Sequence, residues 1–234
     1  MADAVTEESL RSFYRVRQTL GYLGLSLPLL LILVGLMIRG GVEPSLSDYY
    51  HTVQRDLFVG TLSAISLFLL AYPGHQKQPG QWISDDLLTS AAGLAGLGVA
   101  FFPNDNPAGK GIDASPAQVF FGHDHAAIGH YVSALIFLTL LAQICLGRFA
   151  RSAKPLRRRI YRACGWTILA MTAGVLLASW FKIKGPAAPQ AFVTDWLVVL
   201  WLEVLAIWAF ALAWLVKGRA DLALARRLRL SKRP

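Results

Sequence analysis

Charge is scarce in this 234-residue chain: 16% of its residues are Asp, Glu, Lys or Arg, against 55% that are hydrophobic, and the mean hydropathy is +0.46. So little polar surface cannot coat a soluble globule of this length, and the chain belongs in a bilayer. Cysteine is scarcer still. Cys145 and Cys164 stand alone at the ends of successive apolar runs, which leaves them as packing residues instead of a disulfide framework or a complete metal site. No small-x-small cleavage site follows the first apolar run, so that run of about 21 residues is read as a retained membrane helix and not a removed signal. No internal repeat is visible.

What is present is a set of six runs able to cross a membrane as helices: 18–38, 48–72, 87–102, 128–147, 164–181 and 195–216. The apolar parts of the second and third, about 16 residues each, are short for a hydrocarbon core of roughly 30 Å, so each is expected to continue as helix into adjoining polar residues. For the second run this means a helix starting near Asp48 and capped by the Pro44, Ser45, Ser47 stretch. The expected fold is an all-α integral membrane bundle of six transmembrane helices in one domain, followed by a basic tail over 217–234.

Orientation follows from the basic residues. Eighteen of the 23 fall before the first run, between the second and third, between the fourth and fifth, and in the tail. The positive-inside rule then puts both termini in the cytoplasm. The net charge of +9 does not read as a nucleic-acid footprint, because the basic residues are spread over juxtamembrane segments where anionic lipid is the partner. The tail DLALARRLRLSKRP, apolar and basic residues interleaved, is expected to lie along the cytoplasmic headgroups.

This topology gathers four of the five histidines on the outward face. His51 lies in SLSDYYHTVQRDLF, and His123, His125 and His130 lie in QVFFGHDHAAIGHYVSA. They are the candidate metal ligands, with zinc the ion such imidazoles would hold, although three histidines within eight residues match no tight spacing such as H-E-x-x-H. Asp48 and Asp56 are candidate general bases, and Arg55 a candidate clamp for a phosphate or an oxyanion. Ser47, Tyr49 and Tyr50 are assigned to lipid or interface contact, the tyrosines in an aromatic belt. Each has a bland alternative: Asp48 suits a helix N-terminus, and Arg55 can snorkel.

Two further features stand out. SAAGLAGLGVA repeats Ala92, Gly96 and Ala100 every four residues, a small-residue face for close helix packing. Glu203 sits inside the last apolar run, where a carboxylate needs a proton or a partner and counts as a candidate site residue.

SLSDYYHTVQRDLFVG, FFPND, HYVSALIF, RRRIYRACG and WLEVLAIWAFALAWLVKG together resemble a largely uncharacterised family of bacterial multi-helix inner-membrane proteins over most of the chain. More distantly, Ser47 and His51, in the order S-x-x-x-H, resemble the first motif of the CREST superfamily, which implies an intramembrane zinc hydrolase acting on lipid. That superfamily takes further ligands from an H-x-x-x-H pair on the last of seven helices, whereas this chain has six predicted helices and Glu203 with no histidine on the last.

Three functions remain open on the sequence. The leading one is a non-catalytic accessory subunit or lipid-binding scaffold, with membrane lipid and other membrane-protein subunits as partners. The second is a metal-dependent lipid hydrolase or transferase working in the outer leaflet. The third is a proton-coupled transporter using Glu203 with the outward histidines.

Overall fold

A computed structural model describes residues 2–72, 84–105 and 114–220, with side chains from Ser12 onward. The loop carrying His75 and Lys77, the stretch 106–113 and the tail from 221, with its expected place on the headgroups, lie outside the described residues.

Among the described residues every regular element is helical: α1 (Ala2–Arg39), α2 (Arg55–Leu70), α3 (Asp85–Phe101), α4 (Pro116–Phe121), α5 (His123–Gln143), α6 (Pro155–Lys184), α7 (Ala187–Asp195) and α8 (Val198–Lys217). A single 3-10 turn, Ser47–His51, precedes α2, and α5 continues as a π-turn over Ile144–Phe149. Four segments are long and apolar enough to cross a membrane: Ser12–Arg39, His123–Phe149, Pro155–Lys184 and Val198–Lys217. At 16 and 17 residues, α2 and α3 span only about 24 and 26 Å. Lipid-facing character is plain in the exposed apolar side chains, among them Leu33, Met37, Leu94, Trp166, Leu176 and Trp180, which a water-facing surface would not tolerate in such number.

The expected continuous helix over 48–72 is broken. Ser45 Oγ accepts from Asp48 N at 3.1 Å and so starts the 3-10 turn, as the capping chemistry anticipated. Thr52 then turns to extended backbone (φ −125°, ψ 173°), and its hydroxyl donates to Tyr49 O and accepts from Gln54 N. A threonine hydroxyl that bonds both neighbours offers the backbone an alternative to helix, which is why α2 begins only at Arg55.

The helices close on one another in the order α1, α2, α3, α5, α6, α8 and back to α1. Half of the apolar window of α8 is buried, against 28–33% for the other three spans, so α8 is the innermost of the four. Its Leu200, Val204, Phe210 and Trp214 meet Leu20, Leu27 and Leu31 of α1, Leu62, Ile65 and Leu69 of α2, and Ile168 of α6 in one core.

The small-residue face of α3 packs between α2 and α5, with Ala92, Gly93, Gly96 and Ala100 all buried. At Gly93 an added Cβ would come within 2.7 Å of both Leu70 Cγ and the Ser66 carbonyl oxygen. Lipid tails are as apolar as the core, so this closeness, and not escape from water, supplies the packing energy. Gly93→Ala is expected to lower the unfolding free energy by about 1–2 kcal/mol through overpacking, read by SDS titration in mixed micelles; a neutral change would mean that α2 can shift freely away from α3.

Candidate functional site

The site is built around the segment 43–55, which leaves α1 through Gly40 (φ +70°) and runs across the end of the bundle. Its backbone first meets α8. Leu200 N donates to Pro44 O at 3.1 Å, and Leu46 N donates to Glu203 Oε2 at 2.6 Å. The first bond satisfies an N–H of the opening turn of α8, which has no side-chain cap and starts after Leu197 in the left-handed region at φ 51°. With α8 starting at Val198, Glu203 lies only about 8 Å along the helix from its end. That is shallow enough for a loop amide to reach it.

The 3-10 turn is then fixed to the far side of the bundle. His51 Nε2 donates to Asn104 O at 3.0 Å, and Asn104 Nδ2 donates to Asp48 Oδ1 at 2.7 Å. His130, on the second turn of α5 and 1% exposed, has one ring nitrogen 2.7 Å from Phe102 O and the other 2.8 Å from Ser47 Oγ. A carbonyl only accepts, so Nδ1 carries a proton, and in the neutral ring Nε2 accepts from the Ser47 hydroxyl. The two histidine-bearing segments therefore meet, through Ser47 and through the main chain that closes α3.

The remaining members of the segment face inward. Tyr49 is fully buried and Tyr50 nearly so, both within the core, which corrects the expected headgroup belt: the 3-10 turn rotates the rings beneath the segment. The Tyr49 hydroxyl accepts from Glu43 N at 3.4 Å, and burial pushes its phenol above the ordinary value although the backbone bond opposes this. Glu43 in turn forms an ion pair with Arg39. Gln54 Nε2 donates to Leu31 O of α1 at 2.6 Å. Arg55 Nε donates to Tyr50 O at 2.9 Å while its guanidinium lies 4.5 Å from the Tyr50 ring centroid. Two amide oxygens, Asn104 Oδ1 and Gln54 Oε1, are buried without a hydrogen-bond partner.

Other predicted site residues are not drawn in. Asp56 is exposed on the first turn of α2, where its charge suits the helix dipole. His123 accepts at Nδ1 from Gln118 Nε2 at 3.1 Å, and Gln118 also completes a capping box with Ser115 at the start of α4. His123 and His125 are both exposed on the opening turn of α5.

No family model, curated protein or solved structure matches the chain.

The site is therefore read from its own geometry. Among the described residues no three His, Cys, Asp or Glu side chains are grouped to hold a metal ion. Zinc needs free lone pairs on converging donors, whereas both His130 nitrogens and His51 Nε2 are already bonded within the protein. As placed, these residues do not fit a zinc site.

Asn104 and Gln54 are members that sequence reading passed over. FFPND entered only as one of the segments that carry a family resemblance, yet its Asn104 joins His51 to Asp48 with one backbone and one side-chain group. The available signal was an amide directly after the proline that ends an apolar helix, at the same membrane face as the histidines.

Proposed function

We propose that this chain is a non-catalytic accessory subunit or lipid-binding scaffold of a bacterial inner membrane, with both termini cytoplasmic and its outward polar cluster acting as a helix clamp. One observation carries the reading: the single segment 43–55 is hydrogen-bonded to α1, to the end of α3, to α5 and to α8. A reaction centre keeps its reactive groups available to substrate. Here they join helices, and the distribution of basic residues supports the orientation.

The test is purification in mild detergent after in-cell crosslinking. Wild-type protein is expected to retain a defined membrane partner or bound lipid, and His51→Ala to disturb that assembly. Recovery of a bare monomer, free of partner and lipid under the mildest conditions, would overturn the reading.

One distance favours a second reading, a lipid hydrolase or transferase. Ser47 Oγ lies 2.8 Å from His130 Nε2, a nucleophile and base in hydrogen-bond reach, with the ring oriented by Phe102 O at Nδ1. In such a reaction Ser47 Oγ would attack an ester carbonyl as its proton passes to His130 Nε2, which would return it to the leaving alcohol. A fluorophosphonate probe separates the two readings: covalent labelling at Ser47 that disappears in Ser47→Ala would establish the hydrolase, and an unlabelled Ser47 in folded protein would end it.

A further inference from the structure

α6 and α8 run antiparallel. Arg157, in the first turn of α6, donates to Val216 O near the end of α8 at 2.8 Å, while Ala178 near the end of α6 packs in one small cluster with Val199 at the start of α8. Both helices are long and apolar enough to cross a membrane, so α7, which links them, lies at the level where two spans leave the hydrocarbon. The bond from Leu200 N to Pro44 O puts this corner at the histidine-bearing end of the bundle.

The link is tied down at both ends. Gln190 Nε2 donates to Lys182 O at 2.8 Å, which fastens α7 to the last turn of α6, and Gln190 N donates to Pro186 O at 3.0 Å. At the other end Leu197 takes the left-handed region at φ 51°, costly for a residue with a Cβ, and turns the chain into α8 while its side chain packs against the core. Between them Val193 is buried in the cluster with Ala178 and Val199.

The two sides of α7 flanking Val193 differ in chemistry. Phe192 and Trp196, four residues apart and so on one side, are 58% and 69% exposed, with ring centroids 6.4 Å apart. Gln190 and Thr194, also four apart, are exposed on the opposite side. The exposed apolar face of α6 formed by Leu176, Trp180 and Ile183 runs up to the link, and that of α8 formed by Trp201 and Leu205 starts just after it. Three of the four exposed tryptophans among the described residues, Trp180, Trp196 and Trp201, therefore belong to this one corner. Tryptophan gathers where apolar chains meet headgroups. The bilayer that covers the faces of α6 and α8 reaches the α7 pair with no further partner.

We infer that α7 is an interfacial anchor, lying along the headgroup boundary of the leaflet at the histidine-bearing end, with Phe192 and Trp196 among the acyl chains and Gln190 and Thr194 toward water. The inference is independent of the scaffold reading, which rests on the segment 43–55. The belt that the buried Tyr49 and Tyr50 do not form is formed here.

The full chain in lipid nanodiscs, which leave both faces of the bilayer open to solution, tests it. Phe192→Cys, Trp196→Cys and Thr194→Cys, each labelled with an NBD maleimide, are read for quenching by lipid carrying a doxyl group near the acyl carbonyls and by aqueous iodide. The three positions are exposed and Cys145 and Cys164 are buried, so the label goes to α7; wild-type protein carried through the same reaction should stay unlabelled. The labels at positions 192 and 196 are expected to emit to the blue of the label at 194, to be quenched by the lipid doxyl and to lose most of their response to iodide. Iodide quenching at 192 and 196 equal to that at 194 would put the pair in water. Protection from both quenchers would put it against a second copy of the chain. Either result overturns the inference, and each position reports alone, so a variant that fails to fold leaves the other to decide.

Discussion

His130→Ala is expected to lower the unfolding free energy by about 3–5 kcal/mol, the largest loss of any single change in the cluster around segment 43–55. Removing the ring leaves a cavity at a residue 1% exposed and strips partners from the Phe102 carbonyl and the Ser47 hydroxyl at once. The hydrogen bond itself is the smaller share. Interhelical bonds in membrane proteins couple by about 0.6–2 kcal/mol, because a chain unfolded within the membrane also finds partners. Ser47→Ala should therefore lose only about 1 kcal/mol, since the half-buried Ser47 leaves little void. SDS-induced unfolding of the two single variants and the double variant gives the coupling directly. A His130→Ala protein within about 1 kcal/mol of wild type would mean that the ring is not part of the clamp.

The same experiment bears on function. Under the clamp reading, Ser47→Ala and His130→Ala differ in stability roughly as the packed volume they remove. Under the hydrolase reading they abolish a shared activity equally, because a nucleophile and its base fail together whichever is removed. A large stability difference with no covalent labelling of Ser47 favours the clamp.

How far the sequence foretold this arrangement depends on the length scale. Helical identity was legible because apolar runs of 18 or more residues admit few alternatives, and four such spans are present. Of the residues singled out in the sequence, Ser47 is bonded to His130, and His51 and Asp48 are joined through Asn104. What the sequence did not disclose was the break at Thr52, where one hydroxyl competing for two neighbouring backbone groups outweighs the helical tendency of the flanking residues. That break carries Tyr49 and Tyr50 inward and turns Arg55 back on Tyr50. Half of the part Asn104 plays, its bond to His51, is made by a backbone carbonyl, which no residue type announces.

Glu203→Ala is expected to lower the unfolding free energy by about 2–3 kcal/mol, and Glu203→Gln by less than about 1 kcal/mol. The carboxylate accepts from Leu46 N at 2.6 Å, the short distance of a strong bond, and alanine would leave that amide unpaired beside the apolar first turns of α8. A glutamine carbonyl oxygen occupies the same position and can accept the same proton. The difference between the two variants thus isolates the hydrogen bond from the charge. It also weighs the transporter reading, which needs Glu203 to exchange protons with the outward face. In proteoliposomes containing a pH-sensitive dye, proton movement present in wild type and lost in a stable Glu203→Gln protein would show that the charge is used. If wild type moves no protons and Glu203→Gln is as stable as wild type, the residue is an acceptor for the 43–55 segment, one more bond of the clamp. Equal destabilisation by alanine and glutamine would mean instead that the fold requires the ionised carboxylate, and would direct attention to the charges facing it.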